Sequence, residues 1–563
     1  MSRYKNVAFA WVPMLAVAVL GGSGPAAVAA NVNAVSDDVA EPGLTPLTTS
    51  PKRLQPEPTI GIDPANPNII AAGAQDFRKT TELNEACDGN RWNGLYISYN
   101  GGKTWEQSLV PGYFTDPVFP QGTEQDESEQ FGLCLNTDPV LVFDGLGNFY
   151  YSHVSFNDIP QGTTTPSTVG VLYVSTYHLG ENGKYAHAKT VKVPSASGLS
   201  MAGEIHEVGP GNSNFDDKQW MTVDRSLDSP HYGRVYVTWT KFGAQGGQSS
   251  VWLSHCGGDF PGEACADDDG WSDGIKVNKP VAGGLVQESY PATAPDGTIY
   301  VGFLQFQGGF GSSLPHAGIW IAKSTDGGVT FTQTRIAPIR QIPSPIPPQG
   351  SAANDGGNSF RTGTVPGVVI TPNDESDVGY SVHVTWGEWI DDQQADVRYA
   401  RSTDGGTTWE TPLRLNDVST GHQFFPSIAA SGQNVHVAWL DSRLDTDLTQ
   451  PITELQVAYT TFADGGAASA TDTLVADQPF DPNEVSRFPV FCQAFIGDYI
   501  DIDVVPDRHR DKVAIIWSDN RNVGTPLEPD ECATLRQDPA LDANQARLND
   551  GSLDQDAFVE IDP

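Results

Sequence analysis

The sequence predicts an all-β chain folded as a β-propeller of four-stranded antiparallel blades, seven by repeat count with six left open. Three observations carry this: a turn-rich composition, a strand–turn–strand unit that recurs along the chain, and a near-identical eight-residue turn that occurs three times. The 563 residues include 58 Gly and 41 Pro, too many for a helix-rich protein. Yet 10% aromatic and 38% hydrophobic residues are too many for disorder.

The recurring unit is an apolar strand, a turn, and a β-branched and aromatic strand that ends in a polar residue. It reads TIGIDPANPNIIAAGAQDFR from Thr59, PVLVFDGLGNFYYSHVSF from Pro139 and WMTVDRSLDSPHYGRVYVTWTKF from Trp220. It returns from Tyr290, Thr364, Phe425 and Tyr499, with alternation of period two in nearly all copies. The eight-residue turns are Ser98–Trp105 (SYNGGKTW), Ser324–Phe331 (STDGGVTF) and Ser402–Trp409 (STDGGTTW), and each follows an alternating strand. Asn100, Asp326 or Asp404 can accept hydrogen bonds from amides ahead of it, and the Gly-Gly pair tolerates positive φ. Tyr459–Gly466 reads as a decayed copy, and the stretch from Ser254 to Trp271 as an interrupted one. Four strands per unit, repeated radially, protect the sheet edges. A pair of β-sandwiches explains the strands but not the common register of seven units. The strand Ala557–Ile561 is expected to close the ring with N-terminal residues.

The chain divides into a signal peptide (1–30), an N-terminal linker (31–54) and a single propeller (55–563). Arg3 and Lys5 precede an apolar stretch from Val7 to Leu20, and small residues follow to Ala30. That layout predicts a secreted protein cleaved just before Ala30 or Asn31. The apolar run is short for a bilayer span, so no membrane association is expected after cleavage. Lys and Arg number 32 against 70 Asp and Glu, for a net charge of −38, which excludes nucleic acid as a natural partner. Six cysteines in an exported chain suggest disulfides, with local pairs Cys87–Cys134, Cys256–Cys265 and Cys492–Cys532 favoured by spacing among 15 connectivities. No CxxC is present, so no thiolate metal site is expected and no cofactor is required. The run Asp267-Asp268-Asp269-Gly270 admits Ca²⁺ as an alternative to a plain acidic loop, although it lacks the EF-hand spacing. A monomer is expected.

The three eight-residue turns resemble the Asp-box, or bacterial neuraminidase repeat, of the sialidase-like superfamily, and the resemblance spans roughly residues 55 to 561. In that family the boxes lie on the rim away from the active site, so they receive no catalytic role. The Arg-Ile-Pro motif of sialidases is absent; Arg340-Gln341-Ile342-Pro343 is a superficial echo. Sialidases are typically six-bladed, and both departures put sialic acid in doubt as the substrate.

Strand order alone locates a site. Residues just before the first strand and just after the second strand of each blade converge on one face of the channel, opposite the Asp-box turns. Before first strands stand Glu57, Asp217 with Lys218, Glu288, Arg361, His422, and Asp498 with Tyr499. After second strands stand Asp76 with Arg78, Lys241, Gln305, Glu388, Asp441 with Arg443, and Asp519 with Arg521. Carboxylates there can act as general acid and base in glycoside cleavage, and a Tyr nucleophile is known among retaining glycosidases. Asp498, Tyr499 and Asp76 are therefore the catalytic candidates. Arg78, Arg361, Arg443 and Arg521 are the anion-binding candidates, because a guanidinium fork matches a carboxylate, with Glu57 and Asp441 completing the substrate-binding set. The repeated Asp-x-Arg also reads as a turn-stabilising ion pair. Trp239, Trp386, Trp439 and Trp517 fall at equivalent strand positions and read as inter-blade packing. The function expected is an exo-glycosidase acting on glycan ends. The alternative is a non-catalytic propeller that binds carbohydrate or glycoprotein. Mass analysis of the non-reduced exported protein is expected to find no free thiol among the six cysteines; free thiols at all six overturn the disulfide framework.

Overall fold

The computed structural model describes residues 31–34, 55–76, 92–113, 135–156, 171–194, 215–242, 249–257, 261–279, 285–306, 317–348, 360–483, 494–507, 510–521 and 555–563. Among the described residues the fold comprises five separate four-stranded antiparallel sheets and one eight-stranded sheet. The eight-stranded sheet is two four-stranded units joined by a short parallel pairing, Gln394 with Gly421 and Ala395 with His422. Seven blades result. Their innermost strands are Thr59–Ile62, Leu135–Phe143, Phe215–Val223, Leu285–Thr293, Gly367–Pro372, Gly421–Ser431 and Asp501–Pro506. Each of these packs against the next in order, and the seventh packs against the first, so the ring is closed. Gly61 and Gly367 permit close approach inside that ring. A Cβ at Gly61 would meet Leu141 at 2.7 Å, and one at Gly367 would meet Ile428 at 2.5 Å.

The seventh blade mixes the two ends of the chain. Its third strand is Asp556–Ile561 and its outermost strand is Val32–Asn33, which pairs with Val559 and Phe558. At the inner edge, two carboxylates take over where neighbouring blades do not hydrogen-bond as a sheet. Asp501 accepts from the Thr59 hydroxyl and the Ile60 amide at 3.0 Å each, and Asp503 accepts from the Ile62 amide at 2.7 Å. Thr59 also accepts from the Leu141 amide of blade 2, and Ser427 of blade 6 donates to Asp501. Burial pushes the Asp501 carboxyl up to about 7.

The Asp-box turns lie between third and fourth strands and behave as their composition dictates. In all three, the serine hydroxyl accepts from the amide of the second glycine at 2.9 Å. Asn100, Asp326 or Asp404 accepts from the threonine amide four residues on. Trp239, Trp386, Trp439 and Trp517 are all fully buried. Each shares a core cluster with residues of the preceding blade, as Trp439 does with Val397 and Tyr399. Cys256 and Cys265 form a disulfide within blade 3. Residues 1–30 and the cysteines Cys87, Cys134, Cys492 and Cys532 lie outside the described residues.

Asp501→Ala removes the acceptor of two buried amides, Ile60 and Ile502, and of two hydroxyls. It is expected to lower unfolding free energy by about 1–3 kcal/mol, measured by denaturant unfolding of the mature protein. An unchanged midpoint would show that the inner seam does not depend on this carboxylate.

Candidate functional site

The site arises from a repeated backbone device. Where first strands pair with second strands, the register slips between Thr137 and Val140, Asp217 and Trp220, Gln287 and Tyr290, and Phe424 and Ser427. Each slip is a bulge, which leaves a residue unpaired and re-aims its side chain. The residues concerned, Asp138, Lys218, Glu288 and Phe425, all have positive φ between 50° and 58°, and Glu57 (φ 56°) stands at the same offset ahead of blade 1. In blade 7 pairing starts at Asp501 without a slip, and a glycine with positive φ, Gly497 (φ 88°), stands four residues ahead of it, immediately before Asp498. Five of the six described non-glycine residues with positive φ thus sit at one structural position. Such conformations cost on the order of 1–3 kcal/mol each and cluster at functional sites.

Four of the side chains meet. The Lys218 ammonium lies 2.5 Å from Asp498 Oδ2, 2.6 Å from Asp138 Oδ1 and 3.4 Å from Glu57 Oε1. Arg361, ahead of blade 5, donates to the same Asp498 oxygen at 2.6 Å and lies over the Phe495 ring at 4.8 Å. Glu57 also accepts from Gln75 and from the Thr137 hydroxyl. Exposure separates the members. Glu57 and Asp138 side chains are 2% and 5% exposed, Lys218 9%, Asp498 14% and Arg361 49%. A ligand at this mouth therefore meets Arg361 and Asp498 first. Glu288 is half-buried and within reach of the charges of Lys218, Asp498, Asp217 and Asp138.

The electrostatics pull the carboxyls apart. Burial and the Asp138 charge push Glu57 up to about 7, and the same causes push Asp217 to about 7. Burial raises Glu288 to about 8 against the opposing pull of Lys218. Asp498 goes the other way: burial opposes its charge, but the Arg361 and Lys218 cations overcome that and hold it below the usual carboxylate range. Lys218 stays charged because Asp138, Asp498 and Glu57 outweigh its own burial.

Aromatic rings lie two residues further along the bulged strands. Trp220 stacks on Tyr290 with ring centroids 4.8 Å apart and meets Tyr499 edge-on at 5.3 Å. The Tyr290 hydroxyl donates to the Ile428 carbonyl of blade 6, and the Tyr499 hydroxyl donates to the Pro139 carbonyl of blade 2 at 3.0 Å. Below lies a channel cavity of about 330 Å³ lined by all seven innermost strands. Trp220 and Tyr290 belong to its wall; the Lys218 cluster does not.

Of the residues singled out from the sequence, the structure brings together Asp498, Tyr499, Glu57 and Arg361. The others have separate engagements. Asp76 is buried and accepts from the Tyr96 hydroxyl at 2.7 Å. Asp441 accepts from the Trp439 indole, the Arg443 amide and the Arg443 guanidinium, and Arg443 also reaches Asp472 and Asp417. Asp519 repeats the pattern with Trp517 and Arg521, whose guanidinium also pairs with Asp477. These two Asp-x-Arg pairs are turn-stabilising ion pairs closed onto a buried tryptophan. Arg78 lies outside the described residues. Sequence reasoning gave Lys218 and Glu288 no role and missed Asp138. The missing signal was an offset: Glu57, Asp138, Lys218, Glu288 and Phe425 each stand two residues ahead of the first regularly paired residue of their strand.

The carboxylate oxygens of Glu57, Asp138 and Asp498 lie within 4.8 Å of one another, a spacing suited to a cation. The Lys218 ammonium holds that place, and a divalent ion would have to displace it. In the acidic run, Asp268 pairs with Lys189 at 2.6 Å and Asp267 caps the Asp269 amide.

No protein-family model and no curated protein sequence matches the chain. Its likeness is to solved structures alone. A protein of unknown function from Dyadobacter fermentans is 13% identical, with a TM-score of 0.42, over 75% of this chain and 100% of that one. The α-L-arabinanase of Penicillium chrysogenum, solved with arabinobiose, is 12% identical (TM-score 0.38; 73% and 93% covered). A Trypanosoma rangeli sialidase, solved with the inhibitor DANA, is 11% identical (TM-score 0.39; 70% covered), and the match spans 54% of that chain.

Two predictions follow from the charges. Lys218→Met leaves Glu57 and Asp138 without their cation and Asp498 with Arg361 alone, and is expected to cost about 3–5 kcal/mol in denaturant unfolding. Glu288 has a folded pKa above its unfolded value, so its contribution is full below about pH 4.5 and is lost as pH rises through about 8. Glu288→Gln should therefore flatten the fall in thermal midpoint between pH 6 and 8.5. An identical fall in the variant would show that Glu288 ionises normally.

Proposed function

We propose that the mouth formed by Asp498, Arg361, Glu288, Lys218 and Glu57 is a carbohydrate site of a glycoside hydrolase acting on glycan ends. One observation carries this: at one partly open rim, Asp498 is held ionised while Glu288 keeps its proton to about pH 8. Two carboxyls whose environments drive their proton affinities apart are the division of labour that glycoside cleavage needs. In this reading Glu288 donates its proton to the departing glycosidic oxygen. Asp498 stabilises the positive charge that develops on the sugar, as base or nucleophile. Lys218 and Arg361 hold Asp498 ionised and in place. Tyr499 has a phenol that burial keeps well above its ordinary pKa and a hydroxyl already given to Pro139, so it serves as a positioning residue below Lys218. With Asp138, Asp217 and Glu57 beside the rim, carboxyl groups outnumber cations, which favours a neutral terminal sugar over an anionic one.

A second reading has its own observation: Lys218 satisfies three carboxylates without any ligand. A propeller that only binds glycan ends would need no more than this rigid acidic rim.

The mature protein is assayed on a panel of fluorogenic glycosides, a sialoside included, with and without calcium. Turnover is expected, reduced on the order of 10²–10⁴-fold by Asp498→Asn and by Glu288→Gln, with Tyr499→Phe within a few-fold of wild type. Silence across the panel from folded protein would overturn the hydrolase and move the search to glycan arrays.

A further inference from the structure

Just ahead of the outermost strand of blade 7 stands Asn31, whose side chain is engaged at both its nitrogen and its oxygen. The Asn31 side-chain amide donates to Glu560 Oε2 at 2.5 Å and to the Val475 carbonyl at 3.2 Å. Its side-chain oxygen accepts from the Asp477 amide at 2.7 Å, and its main-chain nitrogen lies 3.2 Å from Asp477 Oδ2. Val32 and Asn33 then pair with the strand Asp556–Ile561, and the Ala34 amide donates to the Ala557 carbonyl at 3.0 Å. Asn31 thus fastens the outer strand of the last blade to the segment that leaves blade 6.

The charges around this nitrogen do not balance. Asp477 shares Arg521 with Asp519, and that guanidinium faces two carboxylates at once. Glu560 faces Asp477 and Asp562, and its carboxyl is raised by burial and by their charges. Arg510 and Lys512 are taken by Asp562. An amide nitrogen at Asn31 brings no charge to this place; an ammonium brings one.

We propose that the mature chain begins at Asn31 and that its α-ammonium forms an ion pair with Asp477, locking the seam where the ends of the chain meet. The proposal rests on the export signal read from the sequence, and it chooses between the two cleavage points that the signal allows. The step is hydrolysis by a signal peptidase: water adds across the bond between Ala30 and Asn31, its hydroxyl going to the Ala30 carbonyl and its proton to the Asn31 nitrogen. At neutral pH that nitrogen takes up a further proton. The outer seam then reaches its full strength only after export.

The test uses the exported protein. Intact mass and N-terminal sequencing should give a chain beginning at Asn31; a chain beginning at Ala30, or anywhere else, overturns the proposal. The α-amine, titrated by its rate of reductive methylation, should have a pKa above the ordinary value of about 8, and Asp477→Asn should bring it back down. A variant cleaved to leave one extra residue ahead of Asn31 controls for folding. Asp477→Asn should lower the thermal midpoint of the native-length chain more than that of the extended one. Equal losses in the two chains would mark Asp477 as a hydrogen-bond acceptor only and overturn the ion pair.

Discussion

Four blades meet at one ammonium. Lys218 comes from blade 3, and it is gripped by Glu57 ahead of blade 1, Asp138 of blade 2 and Asp498 ahead of blade 7. A propeller ring is held mostly by packing between neighbouring sheets, and nothing in that packing ties blades that face each other across the channel. The Lys218 cluster does so, and Tyr499 to Pro139 and Tyr290 to Ile428 add two further cross-channel hydrogen bonds. The arrangement is costly taken singly: the ammonium and two of its carboxylates are buried, and their backbones are held at positive φ. It persists because each cost is answered by the others. The strained backbone delivers the charges, the opposite charges offset one another's desolvation, and the ring prevents the bulges from relaxing.

The same constraint explains why the acid–base asymmetry falls where it does. Glu57 and Asp138 lie on the buried side of Lys218, where burial dominates Glu57. Asp498 lies on the open side, where Arg361 adds a second cation to the same oxygen. Among the described residues no cation forms an ion pair with Glu288, and burial together with the charges of Asp498, Asp217 and Asp138 raises it against the pull of Lys218. The contrast follows from cation contact: Asp498, which touches Arg361 and Lys218, ionises, and Glu288, held by burial, keeps its proton.

Much of this fold was legible in the residues. The alternation of seven units, the Asp-box turns and the strand-end tryptophans are local patterns, and local patterns survive into structure because each blade repeats the same backbone. The closing strand was legible too: Ala557–Ile561 was expected to close the ring with N-terminal residues, and it pairs with Val32–Asn33. The candidate site was legible only in part. Topology brought Glu57, Arg361, Asp498 and Tyr499 to one mouth, but it could not say which arginines were free. Arg443 and Arg521 fill the same sequence positions as plausible anion clamps, and only geometry shows them folded back onto Asp441 and Asp519. Lys218 was hidden for the opposite reason: its partners lie 80 to 280 residues away, and no spacing rule reaches that far.

Two kinds of repetition in this chain point to different roles. The Trp-x-Asp-x-Arg turn at Trp439 and Trp517 repeats both backbone and chemistry, down to which oxygen receives the indole. A feature that must do the same thing in each blade belongs to the scaffold. The positive-φ position ahead of the innermost pairing repeats the backbone but not the chemistry: Glu57, Asp138, Lys218, Glu288 and Phe425. Stability alone would favour glycine at every one of these positions, because only glycine adopts positive φ without strain. Those positions instead carry three acids, a lysine and a phenylalanine; Lys218 gathers Glu57 and Asp138 at the mouth, while Phe425 packs in the core. Strain spent on varied side chains at a common focus is what separates a binding or reacting surface from the frame that presents it.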